Sequence, residues 1–504
     1  MSQLEAHFAS FRQQIVGVDA TFEGPFGQRP IVYADWTASG RYYGPIERLV
    51  ANEIGPFIGN THTESSFTGT IMTRAYHEAR EIIKRHVNAG PEDALLLCGS
   101  GMTAAINKLQ RILGLRVPEY LRDFTDVPEE KRPIVFVTHM EHHSNHTTWL
   151  ETIARVEVLP PDEQGLVSVD ALRDALARHA DHPYKIGAFT ACSNVTGIET
   201  PYHELARAMH EQGGVCIVDF AACAPYVEID MHPADDPAAR LDAIVFSPHK
   251  FLGGPGSSGV LVFNASLYNL EVPERPGGGT VNWTDPWNPH SYIDDIEVRE
   301  DGGTPGFLQG IRAALAMRLK EQMGVANIRA REEELLEILF DALPTVPGLH
   351  ILADHIHQRL GIVSFYVDGL HYNLIVKLLN DRYGIQVRGG CSCAGTYGHY
   401  LLHIDPPRSA RWRREVVEQH DQSHKPGWVR LSIHPTMTDD ELRYCLDAIR
   451  EVVAHGAEWG AEYDYSCATN EFAHPIAFDY ADRLKQWFDA EELAHATTVV
   501  RETS

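Results

Sequence analysis

Short apolar runs recur along the first half of the chain: Leu95-Leu96-Leu97, Ile134-Val135-Phe136-Val137, Val156 to Leu159, Ile186 to Phe189, Cys216 to Val218, Ala243 to Phe246 and Val260 to Phe263. They alternate with helix-like stretches, an α/β pattern that predicts a mostly parallel sheet. The segments between them carry helix signals, as where Thr200-Pro201 opens a run with Leu205 and Met209 that Gly213-Gly214 closes. After residue 306 the pattern changes. Residues 307 to 343 read as helical, with Ile328, Leu335, Leu336, Leu339 and Leu343 on one face, and strands follow near 361–367 and 385–388.

These patterns predict an α/β protein with a large domain over residues 26–306 and a smaller α+β domain built from 1–25 and 307–455. The stretch 270–306, rich in Pro, Gly and Trp, reads as a long functional loop region. Residues 405–427, dense in Arg, Glu, His and Pro, read as a surface insertion, and 456–504 as a C-terminal extension.

Composition narrows the function classes. The 504 residues, 44% hydrophobic and 22% charged, are those of an ordinary soluble protein, and a formal charge of −26 argues against nucleic-acid or anionic-membrane partners. Met1 to Phe8 has no export pattern and no apolar run reaches membrane-span length, so a cytoplasmic location is expected. Most of the eight cysteines, Cys98, Cys192 and Cys216 among them, stand alone in apolar surroundings and read as reduced core residues. Cys391 and Cys393 alone form a close pair, among glycines.

The chemistry begins with Lys250, in Ser247-Pro248-His249-Lys250, thirty-one residues after Asp219 at the end of its apolar run. A lysine and an aspartate one strand–helix–strand unit apart suit pyridoxal phosphate: the amine holds the aldehyde as a Schiff base and the carboxylate keeps the pyridine nitrogen protonated. Ligands of parallel α/β sheets sit beyond the carboxyl ends of the strands, and the other candidates follow strand ends too. Gly99-Ser100-Gly101-Met102-Thr103 would hold a phosphate at a helix N-terminus, although alone it reads equally as a strand–helix turn. His142 would stack on an aromatic ring, and Asn194 would meet the cofactor's phenolic oxygen or serve only its turn. The cluster His139, His142, His143 and His146 lacks the carboxylate or cysteine spacing of a metal site. Gly254-Pro255-Gly256-Ser257-Ser258-Gly259 matches a dinucleotide fingerprint but precedes a strand, so it reads as the turn that places Lys250.

In order, the phosphate turn, Glu141-His142-His143, Ser193-Asn194, Val218-Asp219-Phe220-Ala221 and Ser247-Pro248-His249-Lys250 resemble the class V aminotransferases, fold type I, and most of all their cysteine desulfurase and selenocysteine lyase branch. The resemblance runs from about Tyr33-Ala34-Asp35 to Asp447. It implies that Lys250 carries pyridoxal 5'-phosphate, His142 stacks on the ring, Asp219 pairs with its nitrogen and Ala221 packs beneath. Asn194 would meet the phenolic oxygen. Gly101, Met102, Thr103, Ser247 and His249 would hold the phosphate, with Thr304 reaching in from a second subunit of a homodimer.

The same resemblance implies that Arg430 binds the α-carboxylate of a small amino-acid substrate, a task suited to a planar bidentate donor. Cys393, in Arg388-Gly389-Gly390-Cys391-Ser392-Cys393-Ala394-Gly395, holds the position of the persulfide-forming cysteine. The implied reaction takes sulfur or selenium from L-cysteine or selenocysteine, leaves alanine, and hands the sulfur to an acceptor protein. Two departures stand out: Ala222 replaces a glutamine usual three residues after the ring aspartate, and Cys391-Ser392 replaces two histidines before the cysteine. Cys391 is then a second thiol, a resolving partner or a packing residue, and Cys391, Cys393, His399 and His403 offer a zinc alternative. The departures keep open a class V aminotransferase, epimerase or C–S lyase on another amino acid, with Cys393 incidental.

Overall fold

The protein is described here from a computed structural model covering residues 2–476 and 480–489. All seven apolar runs are strands of one sheet: β1 (Asp93–Cys98), β2 (Ile134–Thr138), β3 (Arg155–Leu159), β4 (Lys185–Thr190), β5 (Val215–Asp219), β6 (Ala243–Phe246) and β7 (Gly259–Asn264). The spatial order is β1-β7-β6-β5-β4-β2-β3, parallel except for β7, which runs antiparallel to both neighbours. Helices α1 (Met102–Ile112), α2 (His143–Leu150), α3 (Val169–Arg178) and α4 (Tyr202–Glu211) lie in the connections and cover the faces. Every residue of β2, β4 and β6 is buried, which explains runs too apolar for one wet face.

A second core surrounds a four-stranded antiparallel sheet of β8 (Leu349–Ile351), β9 (Ile362–Val367), β10 (Arg388–Gly390) and β11 (Trp428–Ser432), in the order β8-β9-β11-β10. Val32 and Ala34 pack into this core, and Val32–Tyr33 pairs in parallel with Ile385–Gln386. The strand pair joins the start of the chain to the C-terminal part, close to the site described below.

Three local readings change. The helical stretch 307–343 is two helices, Phe307–Met323 and Val325–Ala342, because Gly324 at φ +80° turns the chain at the junction. The stretch 270–306 contains a small hairpin, Val281–Trp283 with Ser291–Tyr292, and a helical turn, Ile296–Arg299, whose local pairings its Pro and Gly content obscured. Cys192, read as a reduced core residue, is buried just past the end of β4 and not within a strand.

Residues 405–427 hold the helix Pro406–Glu418, capped by Asp405 and burying none of its residues. Gln422 ties the end of this stretch to Cys467 and Ala468, on the hairpin Asp464–Ser466 with Glu471–Ala473. The extension thus buttresses the insertion. Its residues 477–479 and 490–504 lie outside the described residues. No described helix is long and apolar enough to cross a membrane.

Candidate active site

The carboxyl ends of β1, β2, β4, β5 and β6 open into a cavity of about 300 Å³ that also meets the loop after β10 and the strand β11. Met102, Thr103, His142, Asn194, Asp219, Ala221, Ser247, His249, Lys250, Cys393 and Arg430 all line it. Eleven residues spread over more than 300 positions therefore converge as anticipated. Gly101 and Thr304 line instead an adjoining cavity of about 800 Å³, which shares Met102, Thr103, Ser247 and His249 with the first.

The amine and the carboxylate sit deepest. Asp219 is buried at the end of β5 and accepts the Ala221 N–H at 2.8 Å. Burial pushes its carboxyl up to about 6, against the pull of that hydrogen bond and of Lys250. Lys250 follows β6, and burial lowers its amine to about 8, an effect Asp219 opposes and Arg430 reinforces. His142 caps α2 by accepting the Ser144 N–H on Nδ1 at 3.1 Å. Burial first, then charge on Lys250, on His143 whenever that ring is protonated, and on Arg430, lowers it to about 4, so its imidazole is neutral near pH 7.

Around the phosphate turn the pieces are held by one another. Ser247 Oγ accepts the Met102 N–H at 2.8 Å, and Thr103 Oγ1 meets Ser144 Oγ at 2.7 Å. His249 Nδ1 reaches Ser39 Oγ at 3.4 Å, and its imidazole is lowered to about 4 by burial and then by Lys250. Gly101 is required sterically, since a Cβ there would stand 2.9 Å from Ser247 Oγ and 3.4 Å from the His249 ring.

The opposite wall comes from the second core. Arg430, 3% exposed, donates from Nη2 to Asp35 Oδ1 at 2.8 Å and from Nη1 to the Asn194 carbonyl at 3.2 Å, leaving Nε without a partner. Arg388 donates from Nε and Nη2 to Asp35 Oδ2 at 3.0 and 2.8 Å. One carboxylate thus aligns two arginines at the cavity edge. Cys393 is exposed, and the two residues Ser392 and Cys393 take left-handed backbone angles of +50° and +55°, uncommon for side-chain-bearing residues. Asn194 donates from Nδ2 to the Ser392 carbonyl at 2.7 Å, and Trp428 Nε1 to Ser392 Oγ at 3.1 Å.

The family model described as aminotransferase class-V matches residues 32–444. The chain belongs to the class-V aminotransferase family. The chain is 27% identical over 369 residues to a probable cysteine desulfurase of Halalkalibacterium halodurans, covering 72% of this chain and 84% of the relative. A probable cysteine desulfurase of Staphylococcus epidermidis is 27% identical over 404 residues, covering 79% and 92%. Among solved structures, the apo cysteine desulfurase of Thermococcus onnurineus NA1 superposes with a TM-score of 0.69 at 21% identity, covering 88% of this chain and 98% of that one. The Escherichia coli cysteine desulfurase CsdA in its S-sulfonic acid form gives 0.67 at 23%, covering 89% and 98%. The fold is theirs.

Sequence reasoning missed several residues of this class-V aminotransferase site. Asp35 marked only the start of the resemblance, yet it organises both arginines from 395 and 353 residues away. Glu141 is fully enclosed beneath the site, accepting from Thr138, Asn145 and the Thr190 N–H, and burial raises its carboxyl to about 8. Its place in Glu141-His142-His143 was the available signal. The zinc alternative finds no support: among the described residues no three His, Cys, Asp or Glu side chains converge as a metal site, and both His399 nitrogens are engaged by Gly395 and Ser409.

Proposed function

We propose that the chain is a pyridoxal 5'-phosphate-dependent cysteine desulfurase-like enzyme that takes sulfur, or selenium, from L-cysteine or selenocysteine, leaves alanine, and holds the sulfur as a persulfide on Cys393. The observation that carries the reading is the meeting of the Cys393 thiol, Arg430, Lys250 and Asp219 in one cavity of about 300 Å³. The residues fit the cofactor: a lysine and a buried aspartate line one cavity, Gly101 leaves space beside Ser247 and His249, and the buried Asn194 Oδ1 has no partner among the described residues. Lys250 would hold it, with Asp219 at the ring nitrogen, His142 and Ala221 on its faces and Asn194 near its phenolic oxygen. Gly101, Met102, Thr103, Ser247 and His249 would take the phosphate, joined by Thr304 of a second copy in a homodimer. When bound, the cofactor supplies an electron sink for charge developing at the substrate's α-carbon.

Arg430, held by Asp35, receives the substrate carboxylate. Lys250, with its amine lowered to about 8, takes the α-proton near neutral pH. The Cys393 thiolate attacks the substrate sulfur, forming the S–S bond as the Cβ–S bond breaks. That bond's electron pair stays with the substrate carbons, which gain protons at Cβ and Cα to become alanine. Cysteine carbon is reduced, the enzyme thiol is oxidised, and no external oxidant enters. The exposed Cys393 would then pass its sulfur to an acceptor protein.

The decisive test is Cys393→Ala with L-cysteine, following alanine and sulfide; the reading requires near-complete loss of both, and full retention overturns it. A second reading is favoured by Ala222, which lines the cavity where desulfurases usually carry a glutamine: transamination, epimerisation or C–S lysis of another amino acid. Turnover of such an amino acid by Cys393→Ala at the wild-type rate would establish it.

A further inference from the structure

His143 bears on the cysteine loop from the far domain, and nothing in the reading above uses it. Its backbone N–H donates to the Cys393 carbonyl at 2.7 Å, and its ring Nε2 accepts the Gly395 N–H at 3.0 Å. Both bonds hold the chain just after the Cys393 side chain, at its own carbonyl and at the N–H two residues on. A Cβ on Gly395 would come 3.1 Å from that ring nitrogen, so glycine there permits the approach. Accepting at Nε2 puts the neutral ring's proton on Nδ1.

The loop needs such a hold. Ser392 and Cys393 are both left-handed, a strained arrangement that persists only where surrounding contacts impose it. Asn194 and Trp428 fix Ser392, whereas on the far side of the cysteine His143 makes the nearest grip, ahead of His146 on Thr396 and Thr196 on Tyr397. We propose, resting on the reading of Cys393 as nucleophile, that His143 is the positioning residue of this loop and that protonation of its ring releases the loop. A protonated imidazole has donors at both nitrogens, so Nε2–H would face the Gly395 N–H donor to donor.

The charged and titratable surroundings favour the engaged form. His142 and His146 flank the ring on α2, His399 and Tyr400 face it across a cavity of about 590 Å³, and Lys425 approaches from the insertion. Burial first, then Lys425, lowers the imidazole below its usual range. The catch is therefore engaged at neutral pH and lost as pH falls below that range.

The test uses the cofactor-loaded wild-type enzyme, His143→Gln and His143→Leu, with Cys393→Ala as control. Gln retains an acceptor near Nε2 that does not titrate; Leu removes it. One readout is alkylation of Cys393 by iodoacetamide, followed by peptide mass spectrometry without substrate. The other is first-turnover persulfide, measured as cyanide-labile sulfur between pH 5.5 and 8. His143→Leu is expected to alkylate about tenfold faster and form persulfide about tenfold more slowly, with KM for cysteine unchanged. His143→Gln should restore both and show a shallower acid-side loss than wild type, keeping only the part that comes from protonating Lys250 and the Cys393 thiolate. Wild-type alkylation and persulfide rates in His143→Leu, or an unchanged acid limb in His143→Gln, would overturn the proposal. Should His143→Leu not fold, the acid limb of His143→Gln decides alone. Should Cys393→Ala turn over normally, the nucleophile reading falls, while the alkylation ratio still reports whether His143 holds the loop.

Discussion

Removing the Asp35 carboxylate tests whether the substrate arginine depends on it for alignment. Asp35 is 8% exposed and Arg430 3%, so their contact is shielded from water, whereas the Arg388 side chain is 54% exposed. Taking one partner from a buried ion pair costs about 3–5 kcal/mol, and the exposed Arg388 arm adds at most about 1 kcal/mol. With an unfolding entropy of about 2.1 cal/mol/K per residue, the melting temperature of Asp35→Ala should fall by about 3–6 °C. Binding faces two opposed effects. The trio of Arg430, Arg388 and Asp35 carries one net positive charge, which a substrate carboxylate balances; without Asp35 it carries two, which favours the anion. Alignment should prevail, because bidentate recognition needs a fixed guanidinium plane and the added charge sits largely on solvent-screened Arg388.

For Asp35→Asn, which keeps an acceptor for Arg430 but loses the charge, KM for L-cysteine should rise roughly ten- to hundredfold, about 1.4–2.7 kcal/mol. Its kcat should move much less, since the lost contact acts on ground and transition states alike. Steady-state kinetics and thermal unfolding of both variants provide the measurement. Wild-type KM and melting temperature in Asp35→Ala would show that Arg430 is positioned by the fold without Asp35.

Two further outcomes follow from the same geometry. Gly101→Ala places a methyl 2.9 Å from Ser247 Oγ and should weaken pyridoxal phosphate uptake about tenfold or more, read by titrating cofactor-free protein while its melting temperature stays within a few degrees of wild type. Because burial lowers the Lys250 amine to about 8 and only the neutral amine attacks an aldehyde, cofactor uptake by cofactor-free protein should rise about tenfold per pH unit below 8 and level off above it. A flat profile between pH 6 and 8 would place the amine's titration elsewhere.

Strands β2, β4 and β6 were readable because a strand buried on both faces carries few polar positions, a property of the local sequence. The cofactor residues were readable for a related reason: parallel strands deliver whatever follows their carboxyl ends to one edge, so Asn194, Asp219 and Lys250 had to be neighbours once their strands paired. The break at Gly324 was less visible, since both helices flanking it present apolar faces and one left-handed glycine separates them. The hairpin Asp464–Ser466 with Glu471–Ala473 gave too short a pattern to recognise, and its pairing with the insertion through Gln422 is a contact across some 45 residues.

The chain's own order of residues therefore settles the sheet, the family and the floor of the active site, because those rest on periodicity and on motifs a few residues long. It does not settle the opposite wall. Asp35 meets Arg430 across 395 residues, and His143 meets Gly395 across 252, through hydrogen bonds that leave no local signature in either segment. The left-handed turn at Ser392 and Cys393 is likewise imposed from outside, since neither residue type prefers it. Where the reaction residues stand is written in the strands. How Cys393 and Arg430 are held is decided by packing between the two cores, where specificity comes from distant partners meeting and no single segment encodes the geometry.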